Sequence, residues 1–205
     1  MAIPSTYLAL GDSYTIGESV PIFESFPYQV VQLMRKAKHH FQAPEIIAKT
    51  GWTSNELAEH ISHIVLNDQY NFVTVLVGVN NQYRGLTIKD FENDFNFLVN
   101  KAIDLAGNKS TNVMVLSIPD WGYTPFANGK DIQKISNEID AYNEVCSRVV
   151  KKMKTHFINI TDETRAEKNN LQALAIDRLH YSGITHLRWA EKVASIMNQE
   201  LKNKY

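Results

Sequence analysis

A hydroxyl, an imidazole and a carboxylate are enough to transfer an acyl group if the chain can bring them together. Ser13 lies in Gly11-Asp12-Ser13-Tyr14, directly after an apolar run, and Asp177-Arg178-Leu179-His180 lies near the other end of the chain. A neutral imidazole can take the serine proton, provided its other ring N–H is held in one orientation. A carboxylate three residues earlier on a tight turn can do that holding. A serine at a strand's carboxyl end, at the turn toward a helix, can project its hydroxyl into a crevice while its own N–H faces a developing oxyanion. Gly11 lets the chain turn tightly beside it. In isolation each segment also has an ordinary reading, as turn or helix-cap chemistry.

Two further residues would complete an acyl-transfer site. Gly51 can present a backbone N–H where a side chain would obstruct the substrate, and Asn80 can present its amide NH2. With the Ser13 N–H they make three oxyanion donors, and the loss of one such donor typically costs ~3–4 kcal/mol of barrier. Other candidates are weaker. His186 has no carboxylate at an orienting distance, so packing or solvent exposure is expected. His60 and His63 lie three apart on a helix without a convincing third ligand beyond Glu59, so a solvated face is expected and no metal. Asp12, next to Ser13, is expected to support the loop through hydrogen bonds. Cys146, the single cysteine, excludes an internal disulfide and reads as a buried thiol.

These groups need elements to carry them. Strand-like runs fall at Tyr7–Leu10, Glu45–Ala48, Phe72–Val77, Asn112–Ser117 and His156–Ile160. They are mostly Val, Ile and Leu with little polar alternation, as in strands buried on both faces. Between them, helical spacing covers Phe26–His39, Ser54–Leu66, Thr87–Leu105, Ile132–Met153 and Gly183–Asn198. Strand–helix alternation implies a parallel sheet between helix layers, with ligands bound beyond the carboxyl ends of the strands. Ser13, Gly51 and Asn80 all follow strands at that edge, and the loops Gly17–Ser25 and Asp120–Lys130 are expected there too. Of the loop aromatics Tyr14, Trp52, Tyr83, Trp121, Tyr123 and Phe126, the preferred pocket residues are Trp52 and Tyr83, each within three positions of an oxyanion donor.

The four segments around Ser13, Gly51, Gly78-Val79-Asn80-Asn81 and Asp177–His180 resemble, in order, the motif blocks of the GDSL/SGNH hydrolases. The resemblance runs from residue 7 to about Trp189. It implies an α/β fold, a flavodoxin-like three-layer α/β/α sandwich with a five-stranded parallel sheet. It also implies Ser13 as nucleophile, His180 as base, Asp177 as its orienting acid, and the Ser13 and Gly51 amides and the Asn80 side chain as oxyanion donors. Two positions depart from the family pattern. Asn81 stands where the family often has Asp, at a position that usually supports the loop, so activity is expected to persist while local geometry stays open. Tyr14 replaces a frequent Leu.

The implied activity is hydrolysis of a small-molecule acyl ester through an acyl-enzyme, lysophospholipase- or thioesterase-like, with no metal or organic cofactor. Removal of acetyl groups from carbohydrates stays open, as does a non-catalytic flavodoxin-like binder, although no phosphate-binding glycine motif follows any strand. The 205 residues suit one domain, and Lys plus Arg number 21 against 22 acidic residues, so nothing points to a nucleic-acid partner. No apolar run approaches the ~20 residues of a membrane helix, so no membrane insertion is expected. The start of the chain lacks the basic and apolar regions of a secretory signal, which leads to the expectation of a cytoplasmic protein. No heptad or exposed apolar stripe assigns an oligomeric state.

Overall fold

The computed structural model describes residues 3–168 and 170–203. Five strands, β1 (Tyr7–Gly11), β2 (Glu45–Ala48), β3 (Phe72–Leu76), β4 (Val113–Leu116) and β5 (His156–Ile158), form one sheet in the order β2-β1-β3-β4-β5. Every pairing is parallel. The three inner strands are buried along their whole length, which explains their unbroken apolar character, whereas the edge strand β2 is only half-buried. The expected α/β fold with a five-stranded parallel sheet is the one observed.

Helices cover both faces. They are α1 (Ser13–Ile16), α2 (Phe26–Lys36), α3 (Ser54–His63), α4 (Val79–Tyr83), α5 (Ile88–Leu105), α6 (Ile132–Met153), α7 (Thr161–Ala166) and α8 (Gly183–Lys202). α2 packs on α8, while α3 packs on α5 and α5 on α6. Right-handed crossovers produce this division, because the chain leaves β1 toward β2 and then reverses direction toward β3, β4 and β5. The reversal puts the carboxyl ends of β1 and β3 side by side at a topological switch point, where a crevice opens. Trp189 of α8 anchors the first layer, in contact with the rings of Tyr14, Phe26, Tyr181 and His186.

The differences from the sequence expectation lie at element ends. α2 stops at Lys36 instead of His39 because Lys38 turns left-handed, with φ 68°, and the His39 amide bonds back to the Met34 carbonyl. α3 ends at His63 because Ile64 is already extended, and α8 runs on to Lys202. Three short helices, α1, α4 and α7, each follow a strand within three residues, and their four to six residues are too few for periodicity to register. Thr53 and Glu56 form a reciprocal capping box at the start of α3, fixing where that helix begins.

Gly11 closes β1 opposite Leu76 in β3, and a Cβ there would overlap the Leu76 carbonyl and the Thr15 side chain. The Leu76 carbonyl is fixed backbone and cannot move aside. Gly11→Ala is therefore expected to lower stability by roughly 1–3 kcal/mol, read as a reduced urea midpoint at unchanged denaturant slope.

Candidate active site

Ser13 is the first residue of α1, so its N–H has no acceptor within the helix. Asp12 caps that helix by accepting from the Tyr14 N–H at 3.0 Å, and this turns the chain so that Ser13 faces out over the sheet edge. Its Oγ lies 2.9 Å from Nε2 of His180, which is 167 residues away in sequence. On the other side of the ring, Nδ1 lies 2.6 Å from Oδ2 of Asp177. The Asp177–His180 turn is built to present that carboxylate. Arg178 takes φ 61°, and the N–H groups of Leu179 and His180 both donate to Asp177 Oδ1, at 3.0 and 2.9 Å. Partial burial pushes the Asp177 carboxyl up. Hydrogen bonds from the His180 ring, the two amides and the Ser19 hydroxyl outweigh that effect and bring it down to about 2. The ring is thus held between a permanent anion and a hydroxyl.

The structure brings Gly51 and Asn80 to the same cleft as Ser13 and His180. Gly51 occupies a turn closed by the bond from Trp52 N–H to the Lys49 carbonyl, with the φ of 85° that glycine provides at such a position. Its carbonyl accepts from the Arg84 guanidinium, which also pairs with Glu56. Asn80 donates one amide hydrogen to the Trp52 carbonyl at 2.9 Å, which orients the Nδ2 group and leaves its second hydrogen available. Around these polar groups the cleft, of about 180 Å3, is walled by Tyr14, Val79, Tyr83, Trp121, Phe126 and Leu179. Tyr14, fully buried, stands edge-on to the His180 ring at 5.5 Å, so the aromatic ring in place of the frequent Leu walls in the imidazole.

Of the two preferred pocket residues, Tyr83 lines the cleft and Trp52 does not. The Trp52 ring lies over His60 on the exposed side of α3, 4.7 Å between centroids, and only its backbone carbonyl meets the site. The turn at Gly51 reverses the chain, and the next residue faces away. Trp121 and Phe126 supply aromatic surface in its place. Their loop is pinned by buried Asp120, which accepts from the Gly122 N–H and from Arg165 Nε, both at 2.9 Å. Tyr123 faces Lys168 outside the cleft. His186 is buried and stacked on Phe26, its Nδ1 accepting from the Phe26 N–H, and burial holds it neutral with a value near 3. Cys146 is buried too, and burial raises its thiol. Among the described residues there is no cluster of three or more metal-ligating side chains and no helix long and apolar enough to cross a membrane.

A match to the model of the GDSL-like lipase/acylhydrolase family covers residues 9–187, and the chain belongs to that family of ester hydrolases. Solved structures agree in fold. An acetylxylan esterase of Geobacillus stearothermophilus superposes with a TM-score of 0.72 at 18% identity, covering 96% of each chain. TesA gives a TM-score of 0.73 at 16% identity, over 94% of this chain and 98% of its own. A lipase/acylhydrolase of Enterococcus faecalis gives 0.70 at 18%, over 98% and 96%. No curated protein sequence matches this one.

Buried Asn81 accepts from the Ser54 N–H at 2.9 Å and donates to Ser54 Oγ at 2.7 Å, and that hydroxyl donates to Asp94 at 2.8 Å. The chain of donors runs one way only, so a carboxylate at 81 would face the same hydroxyl as Asp94 with no hydrogen to share. Asn81→Asp is expected to destabilise by roughly 1–3 kcal/mol, with partial recovery in the Asn81→Asp/Asp94→Asn double variant, both read by denaturant unfolding. Asp12 is fully buried, and burial pushes its carboxyl up to about 7 against the pull of backbone N–H groups, that of Tyr14 first. The folded protein therefore holds this proton more tightly than the unfolded chain does. The stability it contributes is complete below the ordinary value of 3.8 and is lost as pH rises through about 7. The stability of the native chain relative to Asp12→Asn should accordingly fall between pH 4 and about pH 7, as measured by paired urea titrations.

Proposed function

We propose that the chain hydrolyses carboxylic esters of a short or single acyl chain through an acyl-enzyme on Ser13. The observation that carries this reading is the continuous hydrogen-bonded line Asp177–His180–Ser13 opening into an apolar cleft. Ser13 Oγ attacks the acyl carbonyl as His180 Nε2 takes its proton. Asp177, anionic throughout, orients the ring and balances the imidazolium. The new oxyanion is met by the Ser13 N–H, the Gly51 N–H and the free amide hydrogen of Asn80. His180 then gives its proton to the departing alcohol, or thiol for a thioester. Water, activated by the same imidazole, adds to the acyl-enzyme and regenerates Ser13.

The size of the cleft supports a small acyl group. Its volume of about 180 Å3 falls below the ~300–1,000 Å3 of sites for drug-sized ligands. Tyr83, Trp121 and Phe126, in mutual ring contact, form its outer wall. A lysophospholipase- or thioesterase-like substrate places its acyl chain along that wall. The acetylxylan esterase neighbour and the same small volume favour, as a second reading, the acetyl ester of a carbohydrate.

A panel of p-nitrophenyl esters and acyl thioesters of graded chain length, with an acetylated xylo-oligosaccharide, separates these readings. Ser13→Ala and His180→Ala are each expected to lower kcat by at least ~1,000-fold and to abolish labelling by a fluorophosphonate. Retention of full activity by Ser13→Ala would refute the mechanism. Activity confined to acetyl groups on sugars would select the second reading.

A further inference from the structure

Asp177 is the member of the hydrogen-bonded line that solvent reaches most easily, its side chain 31% exposed against 11% for His180. A carboxylate in contact with water can turn, and an imidazole depending on it then loses its orientation. Oδ1 is secured by the two amides of its own turn. Oδ2, the oxygen facing the ring, is met among the described residues by one other hydrogen-bond donor, the hydroxyl of Ser19 at 2.8 Å, from a loop 158 residues earlier in sequence.

The backbone that delivers this hydroxyl is unusual. Ser19 has φ 65°, a left-handed conformation in which a Cβ is a liability and which glycine adopts freely. The loop is nevertheless fastened on both sides. The amides of Gly17 and Glu18 bond to the Ser13 carbonyl, at 3.1 and 3.0 Å, and the Glu18 carboxylate accepts from Thr50, beside Gly51. Three parts of the site therefore meet in residues 17–19: the nucleophile's own carbonyl, the oxyanion turn and the acid.

We infer that Ser19 is a positioning residue for ester hydrolysis, its hydroxyl holding Asp177 Oδ2 in line with His180 Nδ1 at the expense of a strained backbone. This rests on the acyl-enzyme reading above. As the serine proton moves to Nε2, the positive charge on the ring draws on a carboxylate that is already aimed. Without the hydroxyl, Oδ2 is left to water and the aim is lost in part. Substrate binding is untouched, because Ser19 does not border the cleft.

Backbone and hydroxyl separate cleanly by mutation. Ser19→Gly suits the left-handed backbone and lacks the hydroxyl. It is expected to melt at or above the native temperature while kcat falls roughly 5-fold at a KM within about twofold, a modest loss because the bond is exposed. Ser19→Thr keeps the hydroxyl and strains the backbone further, so it is expected to melt lower and yet retain more kcat than Ser19→Gly. Activity that follows stability in both variants, or a Ser19→Gly enzyme with native kcat, would overturn the inference. The proton between Asp177 and His180 supplies a readout independent of turnover. Its downfield NMR resonance in the resting protein should broaden or move in Ser19→Gly, and an unchanged resonance counts against Ser19. Activity surviving in Ser13→Ala would instead refute the reaction itself and leave this resonance to report on Ser19 alone.

Discussion

The imidazole of His180 can hold its position only if two groups from opposite ends of the chain grip it at once, Ser13 on Nε2 and Asp177 on Nδ1. Much of the rest of the molecule serves that constraint. The Ser13 end is set by the sheet: β1 lies between β2 and β3, and the three segments following these strands carry Ser13, Gly51 and Asn80 to one edge. The Asp177 end is set by α8, which packs on α2 and brings the preceding turn back over β1. The cluster of Tyr14, Tyr181 and Trp189 joins these two ends, since Tyr14 is adjacent to Ser13, Tyr181 precedes α8 and Trp189 lies within it.

Around the cleft, the loops are fastened to one another by side chains that act on backbone atoms. Asn80 holds the Trp52 carbonyl, Arg84 holds that of Gly51, and Asn81 holds the amide and hydroxyl of Ser54. The result joins the chain after β2 to the segment after β3 at three points, Gly51, Trp52 and Ser54. Preorganisation of this kind matters because an oxyanion donor that must reorient during reaction gives back much of what it contributes. The same logic extends to Asp120 and Arg165 beneath the aromatic wall.

Much of this was legible along the chain. The inner strands were readable because burial on both faces leaves no polar alternation to confuse them. The long helices were readable because an apolar face repeats over three or more turns. The triad candidates stood out because Asp177 and His180 share one turn and Ser13 sits at a strand end. The oxyanion candidates followed from their place after strands. The short helices α1, α4 and α7 carry too few residues to show a period, and the end of α2 depends on one left-handed lysine.

Trp52 and Ser19 mark where such reading stops. Trp52 adjoins Gly51 and Ser19 lies in the loop after Ser13, yet the Trp52 ring turns away to His60 while Ser19 reaches across to Asp177. Side-chain direction at a turn depends on one or two dihedral angles, and those are settled by what packs against the turn from elsewhere. The sequence by itself determined which chemical groups were present, which runs would be strands, and the tight local turn that pairs Asp177 with His180. Only the tertiary structure decided that the pair meets Ser13, which aromatic rings wall the cleft, and which hydroxyl meets Asp177. Local preferences act over a few residues, whereas these contacts span 158 and 167 and exist only once the sheet and its helices have closed around one another.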